Sequence, residues 1–128
     1  MVKTSLVEPL EPSIEFGEDI LRLIDAAGYP VSVALWLKED SKWTLVLGTS
    51  LYDRKGPREA YLRLIEALSS EGQVVLVKLP LRLEGNQNPL IKGLRKTFGK
   101  TASVEGMRLG GHRIGGEWID DAYVYRIK

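Results

Sequence analysis

Apolar positions recur along this chain first at helical spacing, then in alternation, and the changes of period mark out eight segments. Phe16, Ile20, Ile24 and Ala27 repeat every three or four residues, Ser13 stands where a side chain can accept hydrogen bonds from a first turn, and Gly28 suits a left-handed end. A helix is predicted over residues 14–27. Val31, Val33, Leu35 and Leu37 alternate with smaller or polar residues, and Trp43, Leu45 and Leu47 do so again after a polar connection over residues 38–42. That pattern predicts a hairpin of two antiparallel strands. Pro57 suits the first position of a second helix, where its fixed φ helps and its missing N–H costs nothing; Ala60, Tyr61, Leu64, Ile65 and Leu68 form its apolar face and Gly72 its end. On its outer side Glu59 and Arg63 stand four apart, at ion-pair spacing.

Residues 74–77 are a continuous aliphatic run, which predicts a central strand buried on both faces. The order strand, helix, strand permits a crossover between parallel strands, and residues 82–87 read as a polar loop. Asn88 as cap, Pro89 behind it, and Leu90, Ile91, Leu94 and Phe98 on one face define a third helix, with Gly99 beyond its end. Gly115 and Gly116 supply the positive φ values of a two-residue turn, so the last segment is a hairpin. Gly110 and Gly111 before it mark a bulge, a bend or a close approach. The expected architecture is α+β in the order αββαβαββ, with one mainly antiparallel or mixed five-stranded sheet and the helices packed on one face. Residues 14–128 form a single domain, and residues 1–13, with Pro9 and Pro12 and no periodicity, form an extended arm.

Composition narrows the classes of function. A chain of 128 residues, 44% hydrophobic and 27% charged, is long enough for one well-buried core. It has no cysteine and one histidine, which excludes disulfides, thiolate zinc sites, thiol nucleophiles and His-rich metal clusters, and suits a cytoplasmic location. No apolar stretch is long enough to span a membrane, residues 1–15 lack the pattern of a secretion signal, and no motif calls for a cofactor. The formal net charge of +1 hides an asymmetry: residues 1–30 carry six carboxylates against Lys3 and Arg22, whereas residues 88–116 carry six cations against Glu105. That balance permits an anionic partner or an acidic-to-basic contact between copies.

Three groups of residues carry candidate chemistry. Arg54, Lys55 and Arg58 flank the start of the second helix, where free N–H groups favour an anion; the plain alternative is that Asp53 caps the turn and the cations are solvated. The glycine spacing and lysine-hydroxyl pair of a P-loop are missing. Lys92, Arg95 and Lys96 share one face of the third helix, and Lys100, Arg108 and Arg113 extend that patch toward the hairpin, where it could follow a phosphate backbone or serve as a solvated face. His112, Asp120 and Asp121 sit on the hairpin; adjacent strand residues point to opposite sides, so only one of the two aspartates can reach a given site. Tyr123 and Tyr125 share one side of that strand and Ala122 and Val124 the other, while Trp36, Trp43 and Trp118 read as core or interface residues. Lys78 has no acidic residue two positions before it, which disfavours a metal-dependent nuclease.

Residues 55–61 (KGPREAY) and 120–126 (DDAYVYR) resemble segments of an uncharacterised family of small bacterial proteins. The resemblance extends from about residue 20 onward and implies a bacterial cytoplasmic protein, with no reaction and no catalytic residue attached. Three readings of function remain. The first is a noncatalytic binding or assembly domain, in some form a homodimer, whose basic surface meets an acidic protein or nucleic acid. A second is an enzyme on a phosphorylated or carboxylated small molecule, with Lys55 and Arg58 holding the anion and Asp120 or His112 moving a proton. In the third, two hairpins build an intersubunit sheet through Trp118 and Tyr125.

Overall fold

The computed structural model describes residues 12–68, 80–101 and 103–128. The elements are α1 (Ile14–Ala26), β1 (Val33–Glu39), β2 (Lys42–Gly48), α2 (Ser50–Lys55), α3 (Pro57–Leu68), β3 (Leu81–Glu84), α4 (Pro89–Phe98), β4 (His112–Ile114), β5 (Glu117–Ile119) and β6 (Asp121–Ile127). The α+β class is as expected. Among the described residues, however, the strands form a four-stranded sheet in the order β3-β2-β1-β6 and a separate ribbon, β4-β5, rather than one five-stranded sheet. The predicted strand over residues 74–77 and the arm over residues 1–11 lie outside the described residues.

β1 is the axis of the fold. From Val33 to Leu37 none of its side chains is more than 4% exposed, because its two neighbours, β2 and β6, both pair with it antiparallel and both sheet faces are covered. Ala34 and Trp36 join Leu45, Leu47 and Leu83 beneath α1, α2 and α3, while Val33, Leu35 and Leu37 join Val46, Ala122 and Val124 beneath α4 and the β4-β5 ribbon. The helices therefore cover both faces and not one. At about 1.5–3 kcal/mol for each large aliphatic side chain taken out of water, neither face could be left open.

Several local expectations hold and others are corrected. Gly28, at φ 78°, ends α1, and the Tyr29 N–H returns to the Ile24 carbonyl. Ser13 occupies the cap position without a side-chain hydrogen bond, so α1 starts without that support. The connection over residues 52–56 is largely helical: α2 is capped by Thr49, whose hydroxyl accepts from the Leu51 N–H, and Gly56 at φ 91° breaks it from α3. The supposed polar loop begins as β3, which pairs parallel with β2, giving the mixed sheet that the crossover permits. Its alternation is real but short, with Leu83 facing the core and Arg82 reaching Glu39 at 2.7 Å. The Arg82 Nε lies 3.0 Å from Glu84, close enough for charge attraction but without hydrogen-bond alignment. Burial works against the Arg82 guanidinium's charge, yet the hydrogen bond to Glu39 and the charges of Glu39, Glu84 and Glu117 outweigh it and its pKa moves up.

Where β6 meets β1, Ala34 pairs with Arg126 and Leu35 with Val124, which leaves Tyr125 as the extra residue of a bulge. The bulge turns Tyr125 and Arg126 together toward α1. The Tyr125 hydroxyl donates to the Ile14 carbonyl at 2.6 Å and accepts from the Trp36 indole N–H at 2.9 Å, and Arg126 pairs with Asp25. Gly17 leaves room for the phenol: a Cβ there would stand 2.1 Å from the hydroxyl oxygen. Gly17→Ala should therefore destabilise the protein by about 1–3 kcal/mol, the usual cost of overpacking, despite the higher helix propensity of alanine. Chemical denaturation would show this as a lower midpoint at unchanged slope.

The β1-β2 turn consists of Asp40 and Ser41, both left-handed at φ 50° and 68°. Neither residue has glycine's freedom there, so Ser41→Gly is expected to raise stability by about 1 kcal/mol, visible as a higher thermal midpoint. Burial pushes the Tyr29 and Tyr125 phenols up from 10.0 to about 12, against the opposing hydrogen bonds from Thr49 and Trp36 respectively. The folded state thus holds both protons more tightly than the unfolded one. Their contribution is complete below pH 10 and is lost as pH rises toward about 12, by about 1.4 kcal/mol per pH unit for each tyrosine. Tyrosinate absorbance from these two should appear together with loss of circular dichroism; ionisation of both near pH 10 in a folded protein would contradict the burial argument.

Candidate functional site

The β4-β5 ribbon is amphipathic by register. His112 pairs with Ile119, Arg113 with Trp118, and Ile114 with Glu117 across the Gly115-Gly116 turn. Ile114 and Ile119 turn inward to the sheet, which sends Arg113 and Trp118, opposite each other, to the outer side. Trp118 is 57% exposed, unlike the buried Trp36 and Trp43, so the expectation of a core or interface residue divides here. Its ring is nevertheless held: the indole N–H donates to Asp120 at 2.9 Å, and the Arg113 guanidinium lies 6.0 Å from the ring centroid. Arg113 is held in turn by the Gly116 carbonyl at 3.2 Å.

α4 lies against the tip of this ribbon. Asn88 caps it, its side-chain oxygen accepting from the Leu90 and Ile91 N–H groups, and Pro89 follows at the first turn, as the sequence predicts. A Cβ on Gly93 would lie 2.8 Å from the Gly115 nitrogen, so backbone meets backbone where helix and ribbon join. Leu90, Ile91 and Leu94 are buried against the sheet. At about 100° per residue, Lys92 and Lys96 fall on the opposite, outward side, and Lys100 follows in the turn beyond. Because α4 and the ribbon bury their inner sides in the same cluster, their outer sides face away from the sheet in the same sense.

The six cations expected in the patch separate into two sets. Lys92, Lys96 and Lys100 are exposed, and none forms an ion pair among the described residues. Arg113 joins them across the Gly93–Gly115 contact. Arg95 turns the other way, donating to the Lys128 carbonyl at 2.8 Å beside a cleft of about 300 Å³ that Ser32, Ser50 and Asn86 also line. Arg108 pairs with Asp121 at 2.7 Å and lies over Trp43, so it is committed to structure. Asp121 itself is partly buried and accepts from the Ala122 N–H, while Asp120 sits at the bend between β5 and β6. The strand expected to run on from residue 117 is broken there, which separates the two aspartates into different settings.

The loop cations are arranged differently. Arg54 lines a cleft of about 480 Å³ between α1 and α3, with Gly28, Tyr29, Arg63 and Glu66; Lys55 and Arg58 are exposed and do not line it. Arg63 is bound to Glu59 at 2.8 Å, and that hydrogen bond holds the Glu59 carboxyl below its usual range. Asp53 does not cap its own turn. Its carboxylate accepts from the Asn86 and Gln87 N–H groups at 2.6 and 3.2 Å, clasping the β3-α4 connection, and Gly85 provides the clearance. α2 and α3 pack on one face of the sheet and the ribbon with His112 and Asp120 on the other, so the structure does not bring the groups of the enzyme reading into one cleft. Tyr125, expected at an intersubunit sheet, is buried and tied to α1.

Among the described residues no three His, Asp or Glu side chains are grouped to hold a metal, and no helix is long and apolar enough to cross a membrane. No family model, curated protein or solved structure matches the chain. The resemblance expected for residues 55–61 and 120–126 thus finds no support in these comparisons, and the site rests on its own geometry.

Proposed function

We propose that this protein is a noncatalytic binding domain whose α4–ribbon face engages a polyanion, most simply the phosphate backbone of a nucleic acid. The observation that carries this reading is the placement of Lys92, Lys96, Lys100 and Arg113 on one exterior with no described carboxylate paired to the lysines, while Arg82, Arg95, Arg108 and Arg126 are drawn into structural contacts. Unpaired cations on successive turns of a rigid helix repel one another slightly. An anion lying along them removes that cost and releases its own counterions. Glu117 and Asp120 are the carboxylates on the ribbon; Asp120 is engaged by Trp118, and Glu117 contributes to the field at Arg82.

The test is binding of labelled DNA and RNA across a salt series. Affinity should fall linearly with salt on logarithmic axes. The variant Lys92→Glu/Lys96→Glu/Lys100→Glu should lose most of the affinity and flatten the slope by about 0.7–0.9 for each phosphate contact removed. Arg54→Glu/Lys55→Glu should leave both unchanged, since that loop lies on the opposite face. Salt-independent binding, or equal loss in the loop variant, would place the interface elsewhere.

A further inference from the structure

We infer that the ligand of this face is single-stranded nucleic acid, with an unpaired base stacking on Trp118; this rests on the polyanion reading above and adds the class of ligand. The cations alone would accept any phosphate chain. Trp118 is what discriminates, because a duplex hides the faces of its bases and a single strand presents them.

Three observations set this ring apart from an incidental surface aromatic. First, it is the most exposed large hydrophobic side chain among the described residues, at 57%, in a chain whose other two tryptophans are buried. Second, its one polar atom is already satisfied: the indole N–H is bound by Asp120 within the same turn of chain, so the ring has no unmet hydrogen bond and offers apolar and π surface. Third, its pose is fixed. The Arg113–Trp118 cross-strand pair, the Asp120 hydrogen bond and the Arg113–Gly116 contact all restrain it, so little conformational freedom is lost on contact. Arg113 lies over the ring, 6.0 Å from its centroid, so it brings a positive charge beside the surface on which a base would stack and a flanking phosphate would lie. The lysines of α4 and of the turn beyond it continue that charge from the ribbon tip, which meets the helix at Pro89 and Gly93, so a strand entering at Trp118 can pass its backbone along Lys92, Lys96 and Lys100.

The protein would be titrated with a fluorescent oligothymidine, with the corresponding duplex, and with an abasic strand of the same length and charge. Wild type, Trp118→Ala and Trp118→Phe would be compared, each checked for fold by circular dichroism and for mass by light scattering. The expected result is that Trp118→Ala weakens oligothymidine binding about 5- to 150-fold, the range of one base–aromatic stack, that Trp118→Phe restores most of it, and that duplex and abasic binding are unmoved. Equal loss on all three probes, or no loss on any, would overturn the inference while leaving the cation surface standing. A drop in oligomeric mass in Trp118→Ala with unchanged affinity would overturn it in favour of a contact between copies. If wild type binds none of the probes in a salt-dependent way, the polyanion reading fails and the single-strand inference falls with it.

Discussion

The structure depends on the double burial of β1. A strand whose every side chain from Val33 to Leu37 is inaccessible requires paired strands on both edges and a layer over each face. β2 and β6 satisfy its backbone. α1, α2 and α3 supply one layer. The opposite layer is harder to build from a single ten-residue helix, and the remainder is roofed by the small β4-β5 ribbon, which is too short to be stable by itself. The ribbon is thus held in place by what it covers. Its inward isoleucines serve the core, and the same register leaves Arg113 and Trp118 outside. The exterior chemistry of this face is in that sense a by-product of closing the core, refined by the choice of outward residues.

The second layer of control is at the bulge. An extra residue in β6 turns Tyr125 out of the strand's alternation and lets one hydroxyl join α1, β1 and β6 through the Ile14 carbonyl and the Trp36 indole. A buried hydroxyl with both a donor and an acceptor partner meets its hydrogen-bonding needs, whereas a phenolate in the same position would have to surrender the bond to the carbonyl. Burial is the main reason the phenol resists ionisation, and the bond a phenolate would lose works in the same direction. The buried hydroxyl also explains the glycine one turn into α1, which otherwise would be a poor helix residue.

How much of this was legible varied with the range of the interaction. α4 could be read completely, because its cap, its proline and its apolar face are all local to residues 88–98. The β4-β5 turn was legible for the same reason. The two-sided cover was missed although a signal existed: residues 33–37 read Val-Ala-Leu-Trp-Leu, an unbroken apolar run, and the alternation of Val33, Leu35 and Leu37 distracted from Ala34 and Trp36. β3 was hidden because its Arg82 is paired with Glu39 on β1, two strands away in the sheet. The Asp53 clasp and the Tyr125 tether join groups 33 and 111 residues apart, and no local pattern announces such partners. The cation patch was legible as a list of residues but not as a surface, since which arginines are spent on carboxylates and carbonyls is decided only by tertiary contact.

That division is also the argument for binding over chemistry. A catalytic centre needs acid, base and ligand-holding groups to converge, yet here His112 is exposed, Asp120 and Asp121 are engaged by Trp118 and Arg108, and the loop cations lie across the sheet. The lysines follow the opposite rule. Lys92 and Lys96 stand one helical turn apart, about 6 Å between Cβ atoms, which is inside the screening length of about 8 Å at physiological salt. Their fields therefore overlap in solution instead of being screened singly, and in the proposed reading Lys100 and Arg113 extend that positive potential. Such a potential attracts an extended anion better than a compact one, because successive charges on the ligand can each meet a separate cation. On the proposed reading, a rigid aromatic at the end of that row adds the one element that pure charge lacks, a surface that distinguishes what the anion carries between its charges.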